Sequence, residues 1–155
     1  MNESLSTFHY PLSTHGQRVL AIDYGTKRLG IAISDEMQML ATSRGIIVNG
    51  PKMTDEIISL IQTNNIHTVI LGIPRTLSNT ESAMTAEVLR FRDKLAKALE
   101  LLGIVLETRD ERLTSLIAET NIRSRALPKN KREVKSLRDE EAARILLQEY
   151  LDSKT

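Results

Sequence analysis

Residues 18–34 read RVLAIDYGTKRLGIAIS, and the fold of the chain is decided there. Arg18 to Tyr24 is apolar on both alternating faces until Asp23, the pattern of a strand at the centre of a sheet covered on both sides. Gly25 and the polar Thr26 and Lys27 make a turn, and Leu29 to Ser34 reads as a second strand, so the segment predicts a hairpin. Asp23 ends the first strand on the face it shares with Val19 and Ala21. By itself a carboxylate in Asp-x-Gly is accounted for by bonding the backbone of the turn. On a covered face, however, an unpaired charge is costly and calls for a positive partner. Gly25 beside it would let a phosphate or a metal approach the backbone.

Outward from the hairpin, Gly45 to Asn49 is a weaker third strand. Asn49-Gly50-Pro51 breaks the chain before a helix with Met53, Ile57, Leu60 and Ile61 on its apolar side, and Asn64-Asn65 stops it. His67 to Leu71 is a short apolar strand. Ser78-Asn79-Thr80-Glu81 matches a capping box, in which the serine and the glutamate satisfy each other's free backbone donors. Met84, Val88, Phe91, Leu95, Leu99 and Leu102 then make one stripe, closed by a C-terminal glycine at Gly103. Ile104 to Thr108 is a fifth strand. A helix from about Thr114, a basic loop around Pro128 and a last helix from about Ser136 to Leu151 complete the chain. This order predicts an α/β fold with a five-stranded mixed sheet and helices on both faces. The first three strands meander antiparallel, and the last two enter through helical crossovers and so run parallel.

At 155 residues the chain fits one domain and can bury roughly 70% of its unfolded surface. Residues 1–17 read as an irregular N-terminal tail and residues 18–155 as a single domain. With 41% hydrophobic but only 3% aromatic residues, no Trp and two Phe, the core has to be aliphatic. The absence of cysteine excludes disulfides and thiolate zinc sites and accords with a reducing cytoplasm. No apolar run is long enough to span a bilayer, and the opening MNESLSTFHYPLSTHGQR lacks the basic start and apolar stretch of a secretory signal. A cytoplasmic protein without a membrane partner is therefore expected. The net charge of +1 does not announce nucleic acid, so that case rests on where the charge sits.

Two further acidic sites join Asp23. Asp110 and Glu111 follow the fifth strand in TRDERLTS, and Asp139 lies in SLRDEEAARILL. Adjacent residues on an extended chain point to opposite sides, so one of Asp110 and Glu111 can face a site while the other is solvated or pairs with Arg109 or Arg112. The longer Glu111 is the preferred ligand, with Asp110 the alternative. Asp139 reads either as the fourth member of a capping-box variant at Ser136, or as a carboxylate at the head of a core-facing stripe. An acid at a helix start gains about 0.3–1 kcal/mol from the dipole. On a helix, though, Asp139 falls in line with Ala142, Ala143, Leu146 and Tyr150, while Glu140, Arg144 and Gln148 take the polar side. Carboxylates brought together repel unless a cation sits between them, and metals held by carboxylates most often work on phosphates.

The segment from Arg123 to Arg138 carries Arg123, Arg125, Lys129, Lys131, Arg132, Lys135 and Arg138 against Glu133 alone. Such a run is commonly a solvated face. Here it immediately precedes Asp139, and Lys27 and Arg28 add positive charge beside Asp23. An acidic pocket with a basic rim suits a polyanionic backbone. Arg75, after Gly72-Ile73-Pro74, either contacts phosphate or caps its loop. Aromatic stacking platforms are nearly absent, so base-specific reading of single strands is not supported. His9, His15 and His67 have no metal-ligand spacing.

The motifs AIDYGTKRLGIAISD, VILGIPR, RDERLTS and RDEEAARILL, in this order, resemble the YqgF/RuvX family of RuvC-like nucleases over about Arg18 to Leu151. The resemblance implies an RNase H-like fold and a divalent-metal nuclease centre formed by Asp23, Glu111 (or Asp110) and Asp139. It also implies a role in processing the 5′ end of the 16S ribosomal RNA precursor in the cytoplasm, with an older and looser link to Holliday-junction resolvases. One loop departs from the family pattern: Thr76 and Asn79 stand where the family carries Asn and then Gly. That departure bears on the loop's contact with substrate rather than on the metal centre.

The reading is a two-metal phosphodiesterase using Mg²⁺ or Mn²⁺. On this reading Asp23 would bridge the ions, Glu111 and Asp139 would complete their shells, and Lys27, Arg28, Arg75, Lys129, Lys131, Arg132 and Lys135 would position the strand. The expected partner is structured RNA, an rRNA precursor, with branched DNA as the alternative, and the protein acts as a monomer or a homodimer. Two rivals stand beside it: a non-catalytic RNA-binding or ribosome-assembly factor, and an actin-like nucleotide-binding protein sharing the Asp-x-Gly-Thr loop.

Overall fold

The computed structural model describes residues 16–73, 83–110 and 131–154, and for residues 83–85, 110 and 131–139 it describes the backbone alone. The elements are β1 (Arg18–Asp23), β2 (Arg28–Ser34), β3 (Ala41–Val48), α1 (Met53–Thr63), β4 (Ile66–Ile73), α2 (Ala83–Leu102), β5 (Val105–Asp110) and α3 (Lys131–Asp152). The strands form one sheet in the order β3-β2-β1-β4-β5. β1–β2 and β2–β3 pair antiparallel, and β1–β4 and β4–β5 pair parallel, as the hairpin and the helical crossovers require. Residues 1–15 of the N-terminal tail, the capping box at Ser78, the loop with Arg75, Thr76 and Asn79, the helix expected from Thr114 and the loop around Pro128 all lie outside the described residues.

Alternation along the strands divides the core in two. Leu20, Ile22, Leu29, Ile31 and Ile33 pack with Ile57 and Ile61 of α1 and with Val88, Phe91, Leu95 and Leu99 of α2. On the other face Val19, Ala21, Ala32, Ala41 and Ile70 meet Ala143, Leu146, Leu147, Tyr150 and Leu151 of α3. Three of those sheet residues are alanines, so α3 can lie close and fill the space with its own larger side chains. α1 stops where the Asn64 side chain donates to the Leu60 carbonyl (2.9 Å) and Asn65 turns left-handed at φ 54°. α2 ends at Gly103 (φ 71°), whose N–H donates to the Glu100 carbonyl while that of Ile104 donates to Leu99, a Schellman closure.

β5 runs on to Asp110, which is therefore its last residue and does not follow it as expected, because its pairing with β4 continues to Ile73. Two boundaries depart further. β3 begins at Ala41, not at Gly45, because Gly45 (φ 88°) is absorbed as a bulge. Ala32 pairs Ser43 and Gly30 pairs Ile46, so Arg44 and Gly45 together oppose Ile31. α3 begins at Lys131, five residues before Ser136. No Gly or Pro stands between Lys131 and Asp152, and Lys, Arg and Glu sustain a helix well. Ser136 to Asp139 are therefore helix interior, which corrects the capping-box reading of Asp139. Lys131, Arg132 and Lys135 likewise lie on a helix rather than in a loop.

The start of β1 is tied down by a buried hydroxyl. The β1–β4 register shifts between Arg18 and Val19. The Val19 N–H instead donates to Ser34 Oγ (2.9 Å), which donates in turn to the Asp35 carbonyl (2.9 Å). At the other end of the hairpin, a Cβ on Gly25 would stand 2.4 Å from the Arg28 carbonyl oxygen, so the turn closes only around glycine.

Ser34→Ala leaves the Val19 donor buried and unpaired, and it is expected to cost about 1–3 kcal/mol in urea unfolding with an unchanged m value. A loss within about 0.5 kcal/mol would mean that water takes over the donor. Gly25→Ala forces backbone apart and is expected to cost about 1–3 kcal/mol by the same measurement, as overpacking does.

Candidate functional site

β1, β4 and β5 run parallel, so their carboxyl ends share one edge of the sheet, the place where open α/β sheets bind ligands. Asp23 is the last residue of β1, half-buried, and by alternation with Val19 and Ala21 it belongs to the α3 face. Its register partner on β2 is Gly30 and on β4 is Gly72. Both direct register partners of Asp23 are thus glycines. These glycines were not singled out from the sequence, although a glycine inside an apolar strand is itself a signal of close approach.

α3 brings the last acid towards the same edge. Gln148 Oε1 accepts the Ala41 N–H (2.9 Å), and Glu140 Oε2 accepts the Ser43 hydroxyl (3.5 Å). Ala41 pairs Ser34 near the start of β1, whereas Ser43 pairs Ala32, which pairs Ala21. Moving back along α3 thus means moving towards the carboxyl end of β1, and the backbone of Asp139 lies one residue further in that direction.

On β5, Arg109 is level with Gly72, and so stands two strands from Asp23, about 10 Å by interstrand spacing. Its guanidinium lies 5.1 Å from the Tyr150 ring centre, a cation–π contact that keeps it on the α3 face. Asp110 is next, level with Ile73, in the register set of Leu106, which packs towards α1 and α2. Glu111 is outside the described residues. Among the described residues no three His, Asp or Glu side chains are grouped to hold a metal.

Of the basic residues, Lys27 is exposed at the β1–β2 turn, and Arg28 begins β2 on the same alternation as Gly30 and Ala32, hence on the α3 face. Lys131, Arg132 and Lys135 occupy the first turns of α3 by their backbone, while Arg75 and Lys129 are outside the described residues. One charged residue was not foreseen. Glu141 is only 5% exposed and pairs with Arg144 at 2.6 Å, a contact that raises the Arg144 pKa. No helix among the described residues is long and apolar enough to cross a membrane.

Known proteins resemble this chain in sequence and in fold. The family model RuvX, described as "Holliday junction resolvase", matches residues 17–153. A protein of Phocaeicola vulgatus named "Putative pre-16S rRNA nuclease" is 35% identical over 137 residues, 88% of this chain and 96% of that one. A protein of the same name from Chloroflexus aurantiacus is 36% identical over 140 residues, 89% of this chain and 88% of that one. Among solved structures, Thermus thermophilus RuvC in complex with a Holliday junction superposes with a TM-score of 0.54 at 11% identity, over 89% of this chain and 95% of that one. The yeast mitochondrial Holliday junction resolvase Ydc2 superposes with a TM-score of 0.52 at 11% identity, over 88% of this chain and 78% of that one. At such identities the likeness is one of fold, and that fold is RNase H-like. Carrying this fold, and matching the family model from residue 17 to residue 153, the chain belongs to the RuvX family of nucleases.

Proposed function

We propose that this protein is a divalent-metal-dependent nuclease that hydrolyses phosphodiester bonds, and that its substrate is the 5′ region of the 16S ribosomal RNA precursor. The observation that carries the reading is Asp23, a carboxylate at the carboxyl end of the central strand with glycine on both neighbouring strands. A helix running back towards the same edge supports Asp139 as a second acid of the centre. Oxygen donors of this kind suit Mg²⁺ or Mn²⁺ rather than a soft metal, so the residues fit the ion.

Asp23 and Asp139 are taken as two of the holding residues. For the third, the longer side chain of Glu111 makes it the preferred ligand, with Asp110 the alternative. When bound, the metal would activate a water and neutralise charge developing on the phosphodiester. The acids would hold the ion, and Asp23 is the least free to move, because its strand is paired on both sides. Lys27, Arg28 and the basic start of α3, with Arg75 and Lys129, would hold the polyanionic backbone against the acids. The relatives' names support RNA as substrate, and the description of the family model keeps branched DNA as the alternative. An rRNA precursor would place the protein in the cytoplasm, and the reading holds for a monomer or a homodimer.

Manganese-dependent cleavage of a 5′-extended 16S precursor and of a four-way DNA junction tests this. Asp23→Asn and Asp139→Asn are each expected to lower the cleavage rate by at least ~100-fold, more than the loss of an outer-shell partner. Binding should be retained, and chelation of the metal should stop the wild type. Equal cutting by wild type and variants would mean another active site. Binding without cutting by the wild type on both substrates would make the protein a non-catalytic assembly factor.

A further inference from the structure

The turn that carries Lys27 is held by a residue from the far end of β3. Asn49 Nδ2 donates to the Gly25 carbonyl at 2.8 Å, and the Asn49 backbone N–H donates to the Lys27 carbonyl at 3.0 Å. One residue therefore bonds both ends of the Gly25–Lys27 segment, 24 and 22 positions away in sequence. Tyr24, just before this segment, packs its ring on Phe91 of α2 with the ring centres 5.0 Å apart. Burial raises the pKa of the Tyr24 hydroxyl. The turn is thus fastened to β3 on one side and to α2 on the other.

The two groups that flank this turn are held differently. Asp23 is fixed by its ladder to Gly30 and Gly72, independently of the turn. Lys27 and the start of β2 at Arg28, which pairs Val48, follow wherever the Asn49 contacts put them. A loose turn would spread the Lys27 ammonium over many positions, and ordering it would then count against each binding event. A fastened one presents it ready-made at the sheet edge where Asp23 ends.

We propose that Asn49 is a positioning residue, which fixes the β1–β2 turn so that Lys27 meets the phosphate backbone of the substrate. This rests on the nuclease reading for the identity of the ligand. It predicts a split: Asn49 governs affinity, and Asp23 governs the chemical step.

The test is a cycle of Asn49→Ala, Lys27→Ala and the double variant. Binding to a labelled 5′-extended 16S precursor fragment is measured across a salt series, with cleavage at saturating RNA in manganese. Asn49→Ala is expected to weaken binding several-fold and to flatten the dependence of log K on log salt by about one phosphate contact. Lys27→Ala should do the same, and the double variant should bind no worse than Lys27→Ala, because both changes remove one interaction. kcat should fall far less than the affinity. If Asn49→Ala does not fold, Asn49→Leu, near-isosteric and without the amide, serves in its place.

Additive losses in the double variant would overturn the proposal. So would a fall in kcat with affinity and salt dependence unchanged, or a lower Tm with wild-type binding. Failure of the wild type to bind both the RNA and a four-way DNA junction would also overturn it. Wild-type binding without cleavage would instead sink the nuclease reading, and the binding cycle would still decide the role of Asn49.

Discussion

The whole arrangement depends on burying β1 on both faces. Val19 to Ile22 are at most 1% exposed, with α1 and α2 over one face and α3 over the other. A strand so enclosed must satisfy every backbone group inside the protein. The two ladders do this along its length, and Ser34 does it for Val19, where the parallel register slips. The reward is stiffness: no part of β1 can shift without breaking pairing on two sides. Whatever stands at its end is placed as firmly as the core itself, and what stands there is Asp23.

Packing and electrostatics are coupled through α3. Small residues on the sheet, Ala21, Ala32 and Ala41, let the helix approach, and the helix then carries charged groups to the same edge. Glu141 shows how such charge is tolerated, since its near-complete burial is accompanied by the Arg144 guanidinium at 2.6 Å. Arg109 is handled differently, by stacking over the Tyr150 ring. An acidic centre meant for a polyanion faces the same difficulty in stronger form, because carboxylates and phosphates repel. A bound cation and a basic rim are the two physical answers, and the proposed function uses both.

The β1–β2 turn marks the border between rigid and adjustable parts. Gly25 is required by the 2.4 Å approach to the Arg28 carbonyl, so the turn is tight by sterics alone. Its position relative to the rest of the molecule is set by Asn49 and by Tyr24, which belong to different segments. The division separates a scaffold that holds an acid from a tip that presents a base.

Much of this was legible in the chain. The apolar run of RVLAIDY, the turn at Gly25, the stripe from Val88 to Leu99, the stop at Asn64-Asn65 and the closure at Gly103 are all local patterns, and each appears where the pattern predicts. Because helix and strand periods, turn residues and end caps act over a few residues, the sequence by itself determined the elements among the described residues, their order and Asp23 as a strand-terminal acid on a covered face. Boundaries were less legible. Gly45 looked like the start of a strand and is a bulge within one, and Ser136 looked like a cap and is helix interior, since neighbouring strands and helix propensity override a single residue's preference. Only the tertiary structure decided that glycines flank Asp23, that α3 runs back towards it, that Asp110 falls in the register of Leu106, and that Asn49 reaches the turn. Those facts depend on strand register and on contacts between segments far apart in the chain, and such contacts leave no periodic trace in the residues that make them.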